Sequence, residues 1–363
     1  MSQTTVVLGL GFACGAAFGA LSQRTRFCTM GALADLVAMG DSNRLRMWLL
    51  AMATAVIGTF LLQAGGLVDL SKSLYRSASL PWLSHLVGGS AFGIGMVLAS
   101  GCGARSLVRL GAGNLKAAVV FLTLGLSAAM TLRGLLAPLR VGWLDTAVLH
   151  FPAGQHLPPL LAEFGLDPAA SLAICSLIVG GGLAAYSLAE RDFRRRDHLL
   201  GGIGIGLTVV AAWWASAHLG YVPEDPETLQ EAYLATQSGR PESLSFVAPF
   251  AHTLDLLMLW SDTSRKLSFG IAACAGVVSG AAAMALAEGS FRWEGFVGTA
   301  DTGRHLIGGL LMGFGGVTAL GCTIGQGISG ISTLALGSFL TLAAIAAGAL
   351  VALKLEYRFS GAA

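Results

Sequence analysis

His85–Cys102 reads HLVGGSAFGIGMVLASGC, and His305–Cys322 reads HLIGGLLMGFGGVTALGC. The two stretches agree at ten of eighteen positions without a gap. Each is an apolar run with a histidine at its head and a Gly-Cys pair at its foot. Each is followed by a short polar, glycine-rich turn and then by another apolar run. The agreement and the matched sequels read as an internal repeat.

The rest of the chain has the same character. Hydrophobic residues make up 54% and charged residues 12%, against about 25% charged residues in soluble globular chains. A water-exposed surface cannot be covered at that level, so a bilayer is the natural solvent. The 50 glycines among 363 residues sit inside apolar runs. That excludes collagen and flexible linkers and suits close helix contacts in lipid. A net charge of +2 gives no reason to expect nucleic acid. The opening residues Met1 to Gly9 carry no basic region and do not read as a cleaved signal peptide. The six cysteines lack zinc-type paired spacing. No disulfide framework, metal or cofactor is expected.

A spanning helix needs about 20 mostly apolar residues. Such segments fall at 5–22, 45–64, 83–101, 115–135, 169–189, 199–217, 267–287, 304–321 and 333–353. The fold class is therefore all-α: a polytopic membrane protein of about nine transmembrane helices, forming a single transmembrane domain over 1–363. Residues 1–135 form a first repeat half, 136–265 connecting spans and external loops, and 266–353 a second repeat half. The stretches 24–40, 103–111 and 323–332 are too short or glycine-rich to span and read as half-helices or re-entrant segments. Irregular backbone at that depth must be buried in protein or line a cavity.

Basic residues in short loops orient the chain. Arg191, Arg194, Arg195 and Arg196 mark a cytoplasmic loop. Counting from it places Arg24, Arg26, Arg44, Arg46, Arg105, Arg109, Lys116, Arg292, Arg304, Lys354 and Arg358 inside. The N-terminus is then external and the C-terminus cytoplasmic. Residues 219–250 are expected outside, with Glu224, Asp225, Glu227, Glu231 and Glu242 against Arg240. Arg133 and Arg140 disagree with this scheme and read as interfacial.

Under this topology the two repeat copies cross in opposite directions. Inverted pairs place a substrate site at mid-membrane on interrupted helices. The interruptions are Gly101-Cys102-Gly103 and Gly321-Cys322-Thr323. A half-helix starting after each would aim free N–H groups and a positive dipole end at the break, an arrangement that suits an anion.

Cys102 and Cys322 are the strongest chemical candidates, because they sit at matched positions among glycines that would leave a thiol open to a cavity. Cys28 follows Arg26 and Phe27, and nearby cations favour thiolate and attract anions; an incidental cysteine in a topogenic loop is the equal alternative. Cys14, Cys175 and Cys274 lie in plain apolar runs and read as packing residues. Gln326, near Thr323, either lines a pore or satisfies broken backbone. His85 and His305 read as interfacial or capping residues. Gly89, Gly93, Gly309 and Gly313 read as packing surfaces.

Several of these motifs occur together in one family. Arg26-Phe27-Cys28, the segment 100–103, Phe291-Arg292-Trp293-Glu294, Met312–Gly316 and above all Leu320-Gly321-Cys322-Thr323-Ile324-Gly325-Gln326-Gly327 resemble the YeeE/YedE sulfur-transport family of bacterial inner-membrane proteins. The resemblance runs from about residue 9 to 353 and is weakest at 136–168 and 219–262. It implies uptake of a small sulfur-containing anion, with thiosulfate the best-supported substrate, and contact with a cytosolic sulfur carrier of the TusA type. It also assigns Cys28, Cys102 and Cys322 as the characteristic cysteines. The expected mechanism is translocation rather than catalysis. Neutral thiols of Cys102 and Cys322 form a constriction, Cys28 is the next station inward, and Arg26 draws the anion. A membrane enzyme forming a cysteine persulfide is the alternative, as is a bare anchor for a sulfur-metabolism complex.

Overall fold

A computed structural model describes residues 2–162, 165–225, 229–262 and 264–360. Glu227, counted above in the acidic loop, lies outside them. The principal helices are α1 (Gln3–Thr25), α2 (Thr29–Met39), α3 (Asn43–Ala64), α4 (Trp82–Leu98), α5 (Gly103–Gly111), α6 (Leu115–Arg133), α7 (Pro168–Ala189), α8 (Arg196–Leu219), α9 (Ala248–Met258), α10 (Phe269–Ala287), α11 (Thr299–Thr318) and α12 (Leu336–Ser360). Two short antiparallel strand pairs complete the fold, Ser79–Pro81 with Val148–His150 and Tyr221–Val222 with Ala232–Tyr233. The protein is thus an all-α multi-pass membrane protein.

Every expected apolar segment is helical. Eight stretches are long and apolar enough to cross a membrane among the described residues. The ninth, α11, falls short by composition alone, since Asp301, Arg304 and His305 occupy its first turns and glycines much of the rest. Its 20 residues still reach about 30 Å at 1.5 Å per residue.

The two ends of the bundle are fixed by local contacts. Gln3 donates from Nε2 to Leu219 O at 2.7 Å, so the N-terminus shares a face with the end of α8. Gln23, at the other end of α1, reaches Ser290 at 3.4 Å. Arg304 pairs with Glu356, which puts the end of α12 on this second face. These are called the N-terminal and C-terminal faces below.

Glycine sets how closely the helices approach. A Cβ on Gly88 of α4 would lie 2.7 Å from Gly315 O of α11, and one on Gly95 would lie 2.7 Å from Gly308 O. Gly88 matches Gly308 in the repeat, and Gly95 matches Gly315, so the crossing exchanges matched residues. The remaining glycines serve the outer neighbours. A Cβ on Gly93 would lie 2.2 Å from Ile345 O of α12, and one on Gly313 would lie 2.4 Å from Leu124 O of α6. Helices α1 and α10 meet in the same manner, Gly15 facing Ala273 O and Gly280 facing Ala16 O. Close backbone approach replaces the hydrophobic drive that is missing between helices in lipid.

Three expectations need correction. Residues 219–250 are not wholly an external loop. Residues 241–247 run without regular structure into the core, where Ser243, Leu244, Phe246 and Val247 are buried. Partners on other segments satisfy their polar groups: Ser243 Oγ donates to Val209 O at 2.9 Å, and Ser329 Oγ donates to Leu244 O at 2.8 Å. His85 and His305 do not cap their helices but bond within the protein. Both are buried, His85 Nδ1 bonding Thr341 Oγ1 at 2.6 Å and His305 Nδ1 lying 3.1 Å from Asp301 Oδ1. Arg133 and Arg140 are not simply interfacial, because they line a cavity described next.

Candidate functional site

The two helix breaks are built alike. Gly101 N–H donates to Met96 O at 2.8 Å, and Gly321 N–H donates to Gly316 O at 2.7 Å. Such six-residue closures end a helix through one left-handed residue. Here that residue is Ser100 at φ 55° and Leu320 at φ 59°. The chain then restarts at the cysteine. Cys102 O accepts from Ser106 N–H at 2.9 Å, and Cys322 O accepts from Gln326 N–H at 2.8 Å.

Beyond the cysteines the copies part. After Cys102 the chain forms α5, which carries Arg105 and Arg109. After Cys322 it forms a π-helical turn over Gly325–Gly330 with every residue buried. Cys322 Sγ accepts from Gly325 N–H at 3.4 Å, and Cys28 Sγ caps α2 the same way, accepting from Gly31 N–H at 3.3 Å. Gln326 has both ends of its amide engaged: Nε2 donates to Ala319 O at 2.7 Å, and Oε1 accepts from Ser338 at 2.6 Å. It stitches the broken backbone together.

Two cavities flank the second break. On the N-terminal face, a cavity of about 390 Å³ is lined by Arg133, Arg140, Glu242, His252, Leu320 and Gly321, among others. Arg133 bonds His252 Nδ1 at 3.2 Å and pairs with Asp255 at 3.5 Å. Arg140 pairs with Asp145 at 3.4 Å. Burial pushes the Glu242 carboxyl up, and Ser238 offsets part of this through its N–H at 2.8 Å and its hydroxyl at 2.6 Å. Burial, with the Arg133 charge beside it, pulls His252 down to about 4.

The second cavity lies deeper and measures only about 10 Å³, room for about one water. Cys28, Cys102, Arg105, Ser22, Thr29, Phe18, Phe27 and Ile324 line it. The first turns of α2 and α5 both meet here, bringing two positive helix ends to one place. Ser22 Oγ, Thr29 Oγ1 and Arg105 Nη1 are buried without a hydrogen-bond partner. Thr323 is buried beside Cys102 and interacts with its thiol. Unpaired buried donors cost about 1–3 kcal/mol each, a cost that one water in this cavity would relieve.

Between the cavities stand Gly321, Cys322, Thr323 and Ile324. Gly321 lines the outer cavity and Ile324 the inner one. Cys102 and Cys322 are 2% and 0% exposed, and Cys102 lies within electrostatic range of both Cys28 and Cys322. Residues 24–351 match the sulphur transport family. The chain belongs to that family. It is 27% identical over 336 residues to the thiosulfate transporter TsuA of Escherichia coli K12, covering 88% of this chain and 86% of that one. It is 27% identical over 342 residues to the thiosulfate transporter TsuA of Spirochaeta thermophila, covering 91% and 93%.

In this member of the sulphur transport family the expected site residues are partly gathered. Cys28, Cys102, Cys322 and Thr323 converge on the break, with Gly101, Gly103 and Gly321 shaping it. Gln326 is spent on Ala319 O and the Ser338 hydroxyl. Arg26 sits in a left-handed cap at φ 54° with its side chain exposed, away from the inner cavity. Arg105, not Arg26, is the arginine that lines the inner cavity with Cys28 and Cys102. Cys14, Cys175 and Cys274 are buried and line neither cavity, although Cys274 lies within electrostatic range of Cys322. The outer residues Arg133, Arg140, Glu242 and His252 were not picked out as site residues. The signal was present in Arg133 and Arg140: two cations on the face where the positive-inside rule does not want them.

Proposed function

We propose that this protein takes up a small sulfur-containing anion, thiosulfate first among them, across a bacterial inner membrane. The observation that carries the reading is the partition Gly321–Ile324, with a cation-bearing cavity on one side and a thiol-lined cavity with unpaired donors on the other. The C-terminal face is cytoplasmic, since it bears the basic loop Arg191–Arg196, and the N-terminal face is periplasmic.

Thiosulfate is a dianion about as large as sulfate. Arg133, Arg140 and neutral His252 collect it in the outer cavity. An inner cavity of about 10 Å³ does not admit it, so passage requires Cys322, Thr323 and Ile324 to move aside. Conduction needs sites that bind weakly and in series. Neutral thiols answer that need, as weak donors and weak acceptors at once. Arg105, Ser22 and Thr29 donate to the oxygens in the inner cavity, and the helix ends of α2 and α5 offset the desolvated charge. Cys28 hands the anion to the cytoplasm, where a TusA-like carrier is the partner implied by the family resemblance.

The persulfide-enzyme reading lacks a base. The residues lining the inner cavity include no His, Lys, Asp or Glu, and an arginine does not take up a thiol proton at neutral pH. Proteoliposome uptake of labelled thiosulfate tests the proposal. Cys102→Ala and Cys322→Ala each abolish uptake while inserting normally. Full uptake by both variants, or a persulfide adduct in the mass spectrum without net transport, rejects it.

A further inference from the structure

A third cavity, of about 450 Å³, opens on the N-terminal face and shares no lining residue with the other two. Arg76, His156, Pro158, Pro159, Ala162 and Leu172 are among its walls. Arg76 donates from Nε to Thr333 O at 3.2 Å, while its Nη2 is buried without any partner. Among the described residues no carboxylate pairs with this guanidinium; the acid whose charge reaches it is Asp69. Burial pulls Arg76 down to about 10, so it stays charged at neutral pH, and burial pulls His156 down to about 4, so it stays neutral. A charged, half-satisfied guanidinium walled by proline and aliphatic side chains is costly unless an anion completes it.

We propose that this cavity is a second oxyanion site, separate from the thiol-lined path, which takes an inorganic oxyanion or the phosphate headgroup of an anionic lipid on the Arg76 guanidinium. Planar guanidinium donors match two oxygens of either group. The site also reaches the transport machinery. Thr333 O, which Arg76 holds, closes the segment that begins at Cys322. The next residue, Leu334, is left-handed at φ 61°. Leu157 N–H donates to Leu334 O at 3.1 Å, and Leu336 N–H donates to Gln155 O at 2.9 Å. The cavity wall and the far end of the partition are therefore one hydrogen-bonded unit, and the occupant of Arg76 steadies it.

The test reads binding, so it stands apart from the identity of the transported anion. Purified, delipidated full-length protein is titrated with sulfate by thermal shift and with phosphatidylglycerol by native mass spectrometry. Three variants accompany the wild type: Arg76→Gln, Ala162→Trp, which fills the cavity but spares the bond to Thr333, and Arg105→Gln as a control in the path. Saturable binding of either probe, weakened about tenfold or more in Arg76→Gln and in Ala162→Trp but kept in Arg105→Gln, is the expected result. Sulfate alone identifies a free oxyanion, and phosphatidylglycerol alone identifies a lipid headgroup. If Arg76→Gln misfolds on size exclusion, Ala162→Trp decides. Wild-type affinity for both probes in a folded variant overturns the proposal.

Discussion

The helix ends at Gly101-Cys102 and Gly321-Cys322 share their closing hydrogen bonds, their left-handed residue and their first restarting bond. Their chemistry parts after the cysteine. Arg105 follows the first break, while Gly325 holds the matched place after the second. One copy thus presents a cation to the inner cavity, and the other builds a neutral, fully buried plug. A symmetric scaffold makes the site possible, and its chemistry sits where the copies diverge.

The matched pair Arg105 and Gly325 gives the largest contrast. Arg105→Gln removes the cation facing Cys28 and Cys102 and lowers thiosulfate uptake by about tenfold to a hundredfold, from the 1.5–3 kcal/mol typical of a charged hydrogen bond, with normal protein yield. Gly325→Ala acts through the fold instead. Its Cβ would lie 2.5 Å from Ser245 Oγ and 3.0 Å from Ser245 Cβ, so Ser245 must shift and the yield of folded protein falls. Uptake per folded molecule, measured beside yield, separates the two. Equal behaviour of the two variants would remove the claimed asymmetry.

Much of this was legible in the sequence, for identifiable reasons. A span is long and apolar because the bilayer is thick and dry, so all nine segments could be marked. The breaks were legible because glycine and cysteine recur at one offset. The segment 241–247 was not. It is too short to span, and its polar groups are satisfied by Ser216, Val209 and Ser329, which only the tertiary fold brings near. The placement of Arg26 has a similar origin. Arg26 follows α1 in a left-handed cap that turns its side chain outward, a local geometry that residue type does not reveal. Arg133 and Arg140 were visible only as exceptions to a charge rule.

A smaller effect sharpens the comparison at the next matched pair, Ser106 and Gln326. Ser106 Oγ donates only to Cys102 O, at 3.2 Å. Gln326 holds Ala319 O and Ser338 Oγ together in the core. Gln326→Ala strands both groups and destabilises the protein by about 2 kcal/mol or more, whereas Ser106→Ala costs about 1 kcal/mol or less. Thermal unfolding in detergent measures the difference. A Gln326→Ala protein that melts like wild type yet fails to transport would return Gln326 to the path as a substrate ligand.

The outer and inner cavities differ in one further respect, which predicts the smallest effect. The inner lining carries no carboxylate, whereas Glu242 stands in the outer cavity among Arg133, Arg140 and His252, with Asp255 and Asp145 paired to the two arginines. Burial raises the Glu242 carboxyl above its ordinary range, so it is still partly protonated where an exposed glutamate is fully ionised. As pH climbs through the raised value, the side chain gains charge and repels an incoming dianion. His252, held down to about 4, stays neutral over the same range and does not compensate. Uptake should therefore rise a few-fold as external pH falls from neutral toward the ordinary carboxylate range, and Glu242→Gln should flatten the profile at its acid-side rate. A Glu242→Gln profile that keeps the wild-type slope would place the titrating group elsewhere and leave the outer cavity electrostatically passive.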